Sequence, residues 1–289
     1  MSKIFDALRR SEFPGVEGFA PAGSEALQMS EPAIPPPLME PEPEPDPLPG
    51  SAMRSPGARS ATLRISALAP IFPFDQQHSA ASEQYRIIRT KILHHPNKPR
   101  VLVVSSPRSG DGKTITSINL AASLALKPDL SVLLVDADLR RSSVGDLLGI
   151  PPGPGLTDLL AGHIAFDEAL VRVEQFPNLW VLTGGTRVNN PAELLDSPNW
   201  RAVLDHIKSS FDYTILDATP VAAVADYELV QHACDGVLLV ARPDHTDRQA
   251  CAKALATVPK QKLIGAVLNC VEDWFLFNTH GYGYYRNEK

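Results

Sequence analysis

The sequence predicts an α/β fold, a mostly parallel sheet with helices on both faces, preceded by a disordered proline-rich amino-terminal segment. Three observations carry that prediction. Six short runs are apolar almost throughout: RVLVVS, SVLLVD, LWVLTG, YTILD, GVLLVA and IGAVLN. Strands buried on both faces read this way, whereas a strand with one wet face alternates. Between them lie helix-like stretches such as TITSINLAASLALK and TDRQACAKALATV, and alternation of the two kinds of element is the signature of right-handed βαβ units. Third, the composition changes sharply on the amino-terminal side, where residues 31–50 read EPAIPPPLMEPEPEPDPLPG.

Taken in order, residues 1–12 contain a short apolar stripe, Ile4, Phe5 and Leu8, which predicts a small docking helix that folds on a partner surface. Residues 13–78 are expected to be a stiff, disordered tether, because proline and acid leave too little apolar area to offset the entropy of ordering. The globular region runs from 79 to 271. Its first helix is expected over SEQYRIIRTKIL, with Ser82 as N-cap, ending near His94. A later helix is expected to open on a capping-box spacing, Thr246 to Gln249. Residues 272–289 form a tail carrying Tyr282, Tyr284 and Tyr285 among glycines.

Bulk properties exclude several functions. A chain of 289 residues with 44% hydrophobic and 21% charged content can bury one sizeable core. Its formal net charge of -6, with no Lys/Arg-rich block, argues against a nucleic-acid-coating surface. Cys234, Cys251 and Cys270 fall in no metal-like spacing and read as reduced core thiols of a cytoplasmic protein. No apolar run approaches the roughly 18 residues needed to span a bilayer, and MSKIFDALRRSE has no apolar core of a signal peptide. His94, His95 and His206 read as surface or capping histidines rather than metal ligands.

The chemistry gathers where strands end. RVLVV runs into SSPRSGDGKTITSINLAASLAL, a strand, a glycine loop with Gly112-Lys113-Thr114, then a helix, which is the P-loop context. Gly110, Asp111 and Gly112, with Thr114 and Ile115 at the helix start, would turn backbone N–H groups toward phosphate oxygens. Lys113 reaches the β- and γ-phosphates and the Thr114 hydroxyl ligates Mg²⁺. The strict pattern wants glycine where this chain has Pro107. The next strand ends VLLVDADLRR; side chains at i and i+2 share a face of a strand, so Asp136 and Asp138 are expected to point together at the phosphates. They would hold the Mg²⁺ shell and accept a proton from an incoming hydroxyl. Asp217, closing YTILD, reads as a further Mg²⁺ carboxylate.

The P-loop, the DxDxR box of Asp136, Asp138 and Arg140, and the LDATP box at Asp217 together resemble the bacterial tyrosine autokinases of polysaccharide biosynthesis, over roughly residues 79–289. GLTDLLAG, NLWVLTGG, NNPAELLDSP and GVLLVARPDHT also resemble stretches of that family. The amino terminus is similar to cytoplasmic members found in exosortase-associated exopolysaccharide loci. The resemblance implies an ATP- and Mg²⁺-dependent autokinase with Lys113, Asp136, Asp138 and Asp217 as catalytic residues and Thr114, Asp136 and Asp217 at the metal. It implies tail tyrosines Tyr282, Tyr284 and Tyr285 as phosphoacceptors in trans. A homo-oligomeric ring would pack through Glu83, Arg86 and Arg89, and a membrane-embedded chain-length regulator would recruit and activate the chain at the inner face of the membrane. From Cys270 to Tyr282 the chain spans at most about 40 Å, enough for a tail to enter a neighbour's site. Trp274, Phe275 and Phe277 would cover the core or meet the membrane partner. The alternative is a positioning-type P-loop ATPase, a nucleotide-dependent dimer switch; its signature lysine position is occupied here by Arg108, and it leaves the tyrosine tail without a use.

Overall fold

The computed structural model describes residues 57–65, 71, 80–221 and 225–271; the amino-terminal docking helix, the tail tyrosines, Trp274, Phe275 and Phe277 lie outside them. In chain order the elements are β1 (Arg59–Ala61), α1 (Ala80–Leu93), β2 (Val101–Ser105), α2 (Lys113–Ala125), β3 (Val132–Asp136), α3 (Val144–Leu148), α4 (Leu156–Leu160), α5 (Phe166–Ala169), β4 (Leu170–Val173), β5 (Leu179–Leu182), α6 (Pro191–Leu195), α7 (Pro198–Ser210), β6 (Tyr213–Asp217), α8 (Asp226–His232), β7 (Gly236–Ala241), α9 (Arg248–Thr257) and β8 (Leu263–Leu268). The strands form one sheet in the order β1-β4-β5-β3-β6-β2-β7-β8. Every pairing is parallel except that of β4 with β5.

All six expected strands are present. β2 and β3 are buried at every position, because helices cover both faces. One face carries Leu102, Val104, Leu134 and Ile215 against Ile92 of α1 and Ile118 and Leu124 of α2. The other carries Val103, Leu133 and Leu216 against Trp200 and Ile207 of α7 and Tyr227 of α8. α2 is buried at 11 of its 13 residues, as a helix sandwiched between sheet and a covering helix must be. Among the described residues no helix is long and apolar enough to cross a membrane.

Four expectations are corrected. Part of the stretch read as tether belongs to the sheet: Arg59, Ser60 and Ala61 pair in parallel with Val171, Arg172 and Val173. Leu63 and Ile71 are buried, and Leu63 is tied to Gln175 through both its N–H (3.1 Å) and its carbonyl (3.2 Å). A three-residue edge strand draws its hydrogen bonds from a neighbour's backbone, so its own side chains carry no apolar pattern. β4, LVRV, lies inside the sheet between β1 and β5 and is largely buried, but at four residues it is too short to stand out as a run. Ser82 lies inside α1, two residues past its start, and is buried, so it is not the N-cap residue. α9 is capped by Asp247, whose carboxylate accepts from the Ala250 N–H at 2.8 Å, one residue beyond the expected Thr246. Finally, of the three cysteines only Cys234 is buried; Cys251 is half-buried and Cys270 exposed.

Candidate functional site

The loop between β2 and α2 takes its shape from two glycines in the left-handed region, Gly110 at φ +93° and Gly112 at φ +94°. Gly112 is the residue before the first turn of α2, where N–H groups without helical partners face outward. It also admits a close neighbour: a Cβ there would lie 1.9 Å from Nδ2 of Asn269. Any other side chain would therefore be strained and would displace the asparagine.

Lys113 opens α2 and is 8% exposed. Its Nζ lies 2.8 Å from Asp138 Oδ2 and 3.5 Å from Asp217 Oδ2. Asp217 is fully buried and accepts from the Thr114 hydroxyl at 2.7 Å and the Ser117 hydroxyl at 3.2 Å. Burial lifts its carboxyl to about 7 against the pull of the Lys113 ammonium. Burial also works against the Lys113 charge, but Asp217 and Asp138 outweigh it and hold the ammonium above its usual range. Asp136 is the register partner of Asp217. Its Oδ2 accepts from Ser142 Oγ at 2.7 Å and from the N–H groups of Ser143 and Val144 at 2.8 and 3.0 Å. Its Oδ1 is buried without a hydrogen-bond partner. Burial raises this carboxyl too, despite those donors. The i, i+2 expectation for Asp136 and Asp138 thus holds only loosely. β3 ends at Asp136, the chain turns there, and Asp138 goes to Lys113 while Asp136 anchors the loop that starts α3.

Asp111, whose backbone N–H was the group expected at the phosphates, is buried, and its carboxylate is held by the chain's own donors. Oδ1 is met by His245 Nδ1 at 2.9 Å and by the Thr246 hydroxyl, and Oδ2 accepts from the Arg108 N–H at 2.9 Å. Its carbonyl accepts from Asn269 Nδ2 at 3.0 Å. The loop after β7 and the end of β8 thereby clamp the glycine loop. Neither His245 nor Asn269 was visible as a site residue, because each lies more than a hundred positions away in the chain. Ile115 packs its side chain on the core, leaving only its backbone to a phosphate. Arg108 is ion-paired with Asp247. Arg140 of the DxDxR box grips buried Asp226, at the start of α8, through two bonds of 2.8 and 3.0 Å, the bidentate geometry in which arginine excels. Glu83, Arg86 and Arg89 lie on α1. Glu83 and Arg86 pair at 3.0 Å, while Arg89 Nη1 donates to the Ser123 carbonyl of α2 at 2.8 Å.

These residues fit a magnesium-bound nucleoside triphosphate. The loop backbone and the α2 N-terminus offer N–H groups to phosphates, Lys113 an ammonium, and Thr114 with Asp217 the hard oxygen ligands magnesium takes. The bare Oδ1 of Asp136 is a further buried acceptor facing no donor.

Two predictions follow from this geometry. A native carboxyl at about 7 binds a proton that an unfolded one, near ~3.9, has already released. Its contribution to stability is therefore full below about pH 4 and lost as pH rises toward 7. The melting temperature of the nucleotide-free chain should fall between pH 5 and 7.5, and Asp217→Asn should flatten that slope; an identical slope in the variant would refute the assignment. Replacing His245 with Ala or Thr246 with Val leaves Asp111 short of a donor, which costs about 1–3 kcal/mol. Isothermal titration should then show weakened ATP binding, with His245→Gln partly restoring it.

The AAA domain family matches residues 99–263. The tyrosine-protein kinase YwqD of Bacillus subtilis is 34% identical over 220 residues, covering 74% of this chain and 90% of that protein. The crystal structure of the chimerical protein CapA2B2 superposes with a TM-score of 0.66 at 27% identity, covering 73% of this chain and 92% of that one. The kinase domain of the Escherichia coli tyrosine kinase ETK superposes at 0.64, also at 27% identity, covering 74% and 85%. Likeness to the kinases thus covers about three quarters of the chain, and the chain belongs to the bacterial protein-tyrosine kinases, built on a P-loop AAA domain.

Proposed function

We propose that the chain is an autokinase that moves the γ-phosphoryl group of ATP onto Tyr282, Tyr284 or Tyr285 in the tail of another copy. The observation that carries this reading is Asp138, held 2.8 Å from Lys113 at the carboxyl edge of the sheet. A carboxylate there is placed to take the proton of an attacking phenol, and the lysine beside it offsets charge on the transferring group. Thr114 and Asp217 would hold the magnesium, which, bound to ATP, supplies a polarised phosphoryl group. The buried, water-poor surroundings of Asp217 and Lys113 strengthen each of these interactions. Tail phosphates would add nearly two negative charges each and loosen a ring of copies by repulsion. Assembly and disassembly would thereby set exopolysaccharide chain length or export, with a membrane-embedded regulator recruiting the chain and the amino-terminal segment docking on it. The dimer-switch alternative needs a residue reaching across from the position of Arg108, which is here engaged by Asp247 of its own chain.

Purified chain incubated with ATP and Mg²⁺, alone and with a partner's cytoplasmic segment, should carry phosphate on the tail tyrosines by mass spectrometry. Lys113→Met should abolish it and the triple Tyr→Phe tail should lose most of it. Hydrolysis of ATP without phosphotyrosine under both conditions would transfer the assignment to the dimer switch.

α1 bears on assembly. Glu83, Arg86 and the 41% exposed Ile87 fall at i, i+3, i+4, one stripe of the helix. The double variant Glu83→Ala, Arg86→Ala should reduce the mass of any ring in light scattering, and an unchanged mass would make the stripe ordinary surface.

A further inference from the structure

Residues 57–65 form a strap at the edge of the sheet, and they hold more than the strand they pair with. Beyond β1, the Arg64 N–H donates to the Leu148 carbonyl at 3.1 Å, at the last residue of α3. Half-buried Arg59 sends Nη2 to the Pro154 carbonyl at 2.8 Å. The strap thus grips the end of α3 and the loop that leaves it. That segment is shaped to receive it. At Gly149, with φ +65°, a Cβ would lie 2.5 Å from the Arg64 carbonyl oxygen, and at Gly153 one would lie 1.9 Å from Arg59 Nη1. Two glycines therefore leave room for strap atoms that a side chain would displace. The loop itself carries Pro151, Pro152 and Pro154. Proline has no N–H and a fixed φ, so the loop is short of donors for its carbonyls and stiff enough to pass a displacement on.

The other end of α3 meets the acidic cluster. Asp136 Oδ2 accepts from the N–H groups of Ser143, just before the helix, and Val144, its first residue, at 2.8 and 3.0 Å. It also accepts from Ser142 Oγ at 2.7 Å. α3 has only five residues, so it spans about 7.5 Å. Val144 and Leu148 are fully buried, and the Ile150 N–H donates back to the Gly145 carbonyl at 2.9 Å. Helix and loop start are therefore one packed piece, with the strap at one end and Asp136 at the other. A cavity of about 650 Å³ opens between the loop at 150–154 and the loop at 183–187, and Ser142 lines it too. With open space along that flank, the hydrogen bond from Arg59 is a tie that the loop needs.

We propose that Arg59 is a positioning residue of the kinase: seated against Gly153 and Pro154, it sets the loop and α3 so that the Asp136 carboxylate stays beside Asp217 for magnesium-bound ATP. This rests on the reading above, in which the acidic cluster serves that ligand. With Oδ2 held by three donors, the partnerless Oδ1 is the oxygen left for the cation. Residues 1–56 enter the sheet through this strap, so a pull on them reaches Asp136 through Arg59 and α3.

The test uses the full-length chain. Arg59→Ala removes the guanidinium, and Gly153→Ala expels it from the loop's side. Ile207→Ala in α7 is the control that loosens the core elsewhere, and thermal melts confirm that each variant folds. Binding of a fluorescent ATP analogue is followed as Mg²⁺ is titrated in. The Mg²⁺ concentration at half-effect should rise about tenfold in both strap variants, as when an outer-shell partner of a metal ligand is lost. Kd in EDTA should stay at the parent's value, and Arg59→Lys, which keeps a donor, should fall between parent and Arg59→Ala. Hydrogen exchange at the Ser143 and Val144 amides of the nucleotide-free chain should quicken in the strap variants and not in Ile207→Ala. A parental Mg²⁺ requirement in both strap variants overturns the proposal and leaves the autokinase standing. An equal rise in Ile207→Ala also overturns it, since lost stability would then be the cause. None of these readouts needs phosphoryl transfer, so a parent chain without phosphotyrosine removes the autokinase reading while the titration still decides the strap.

Discussion

The ammonium of Lys113 is buried at the carboxyl edge of the sheet, and the rest of the site is arranged around it. A buried charge without partners is expensive, and one with two well-placed carboxylates is tolerable. Asp138 and Asp217 provide them, and Asp136 stands one strand spacing from Asp217 in register with it. Three carboxylates against one ammonium leave an acidic surplus, and burial holds protons on Asp217 and Asp136 more tightly than usual. A divalent cation would relieve that surplus. The same cluster that is uncomfortable alone is thus prepared for a magnesium nucleotide.

Around that cluster the chain is cross-tied at points that do not touch the reacting atoms. Asp111 fastens the glycine loop to the segment after β7, and Arg140 fastens the loop after β3 to α8. Asp158 fastens the loop at 183–187 to the one at 150–154. Each tie is a buried or half-buried carboxylate meeting two or more donors, the arrangement that holds a loop most firmly in a low-dielectric setting. The outcome is a rigid edge with a nucleotide loop at its middle and a preformed cavity on one side.

Much of this was legible beforehand, for definite reasons. β2, β3, β6 and β7 are buried almost throughout, so their apolar runs stand out, whereas β8, at the sheet edge, carries the same kind of run half-buried to exposed. The glycine loop, Lys113 and Thr114 are contiguous, and contiguous residues on a strand-to-helix turn have one evident use. What escaped were elements whose order comes from a neighbour: β1 and β4, too short and too mixed to show a period, and the α9 cap, where two adjacent residues both suit the role.

By itself, then, the sequence determined the strands and helices, the phosphate loop and the acidic strand ends, because each is a local pattern that physics reads within a dozen residues. Only the tertiary structure decided that Lys113 leans on Asp138, that the Asp111 carboxylate meets His245, that Arg140 grips Asp226, and that a cavity opens beside Ser142. The Asp111–His245 and Arg140–Asp226 contacts join residues 134 and 86 positions apart. Which strand ends become neighbours depends on the order of the sheet, and that order is settled by the packing of whole faces rather than by any segment of the chain.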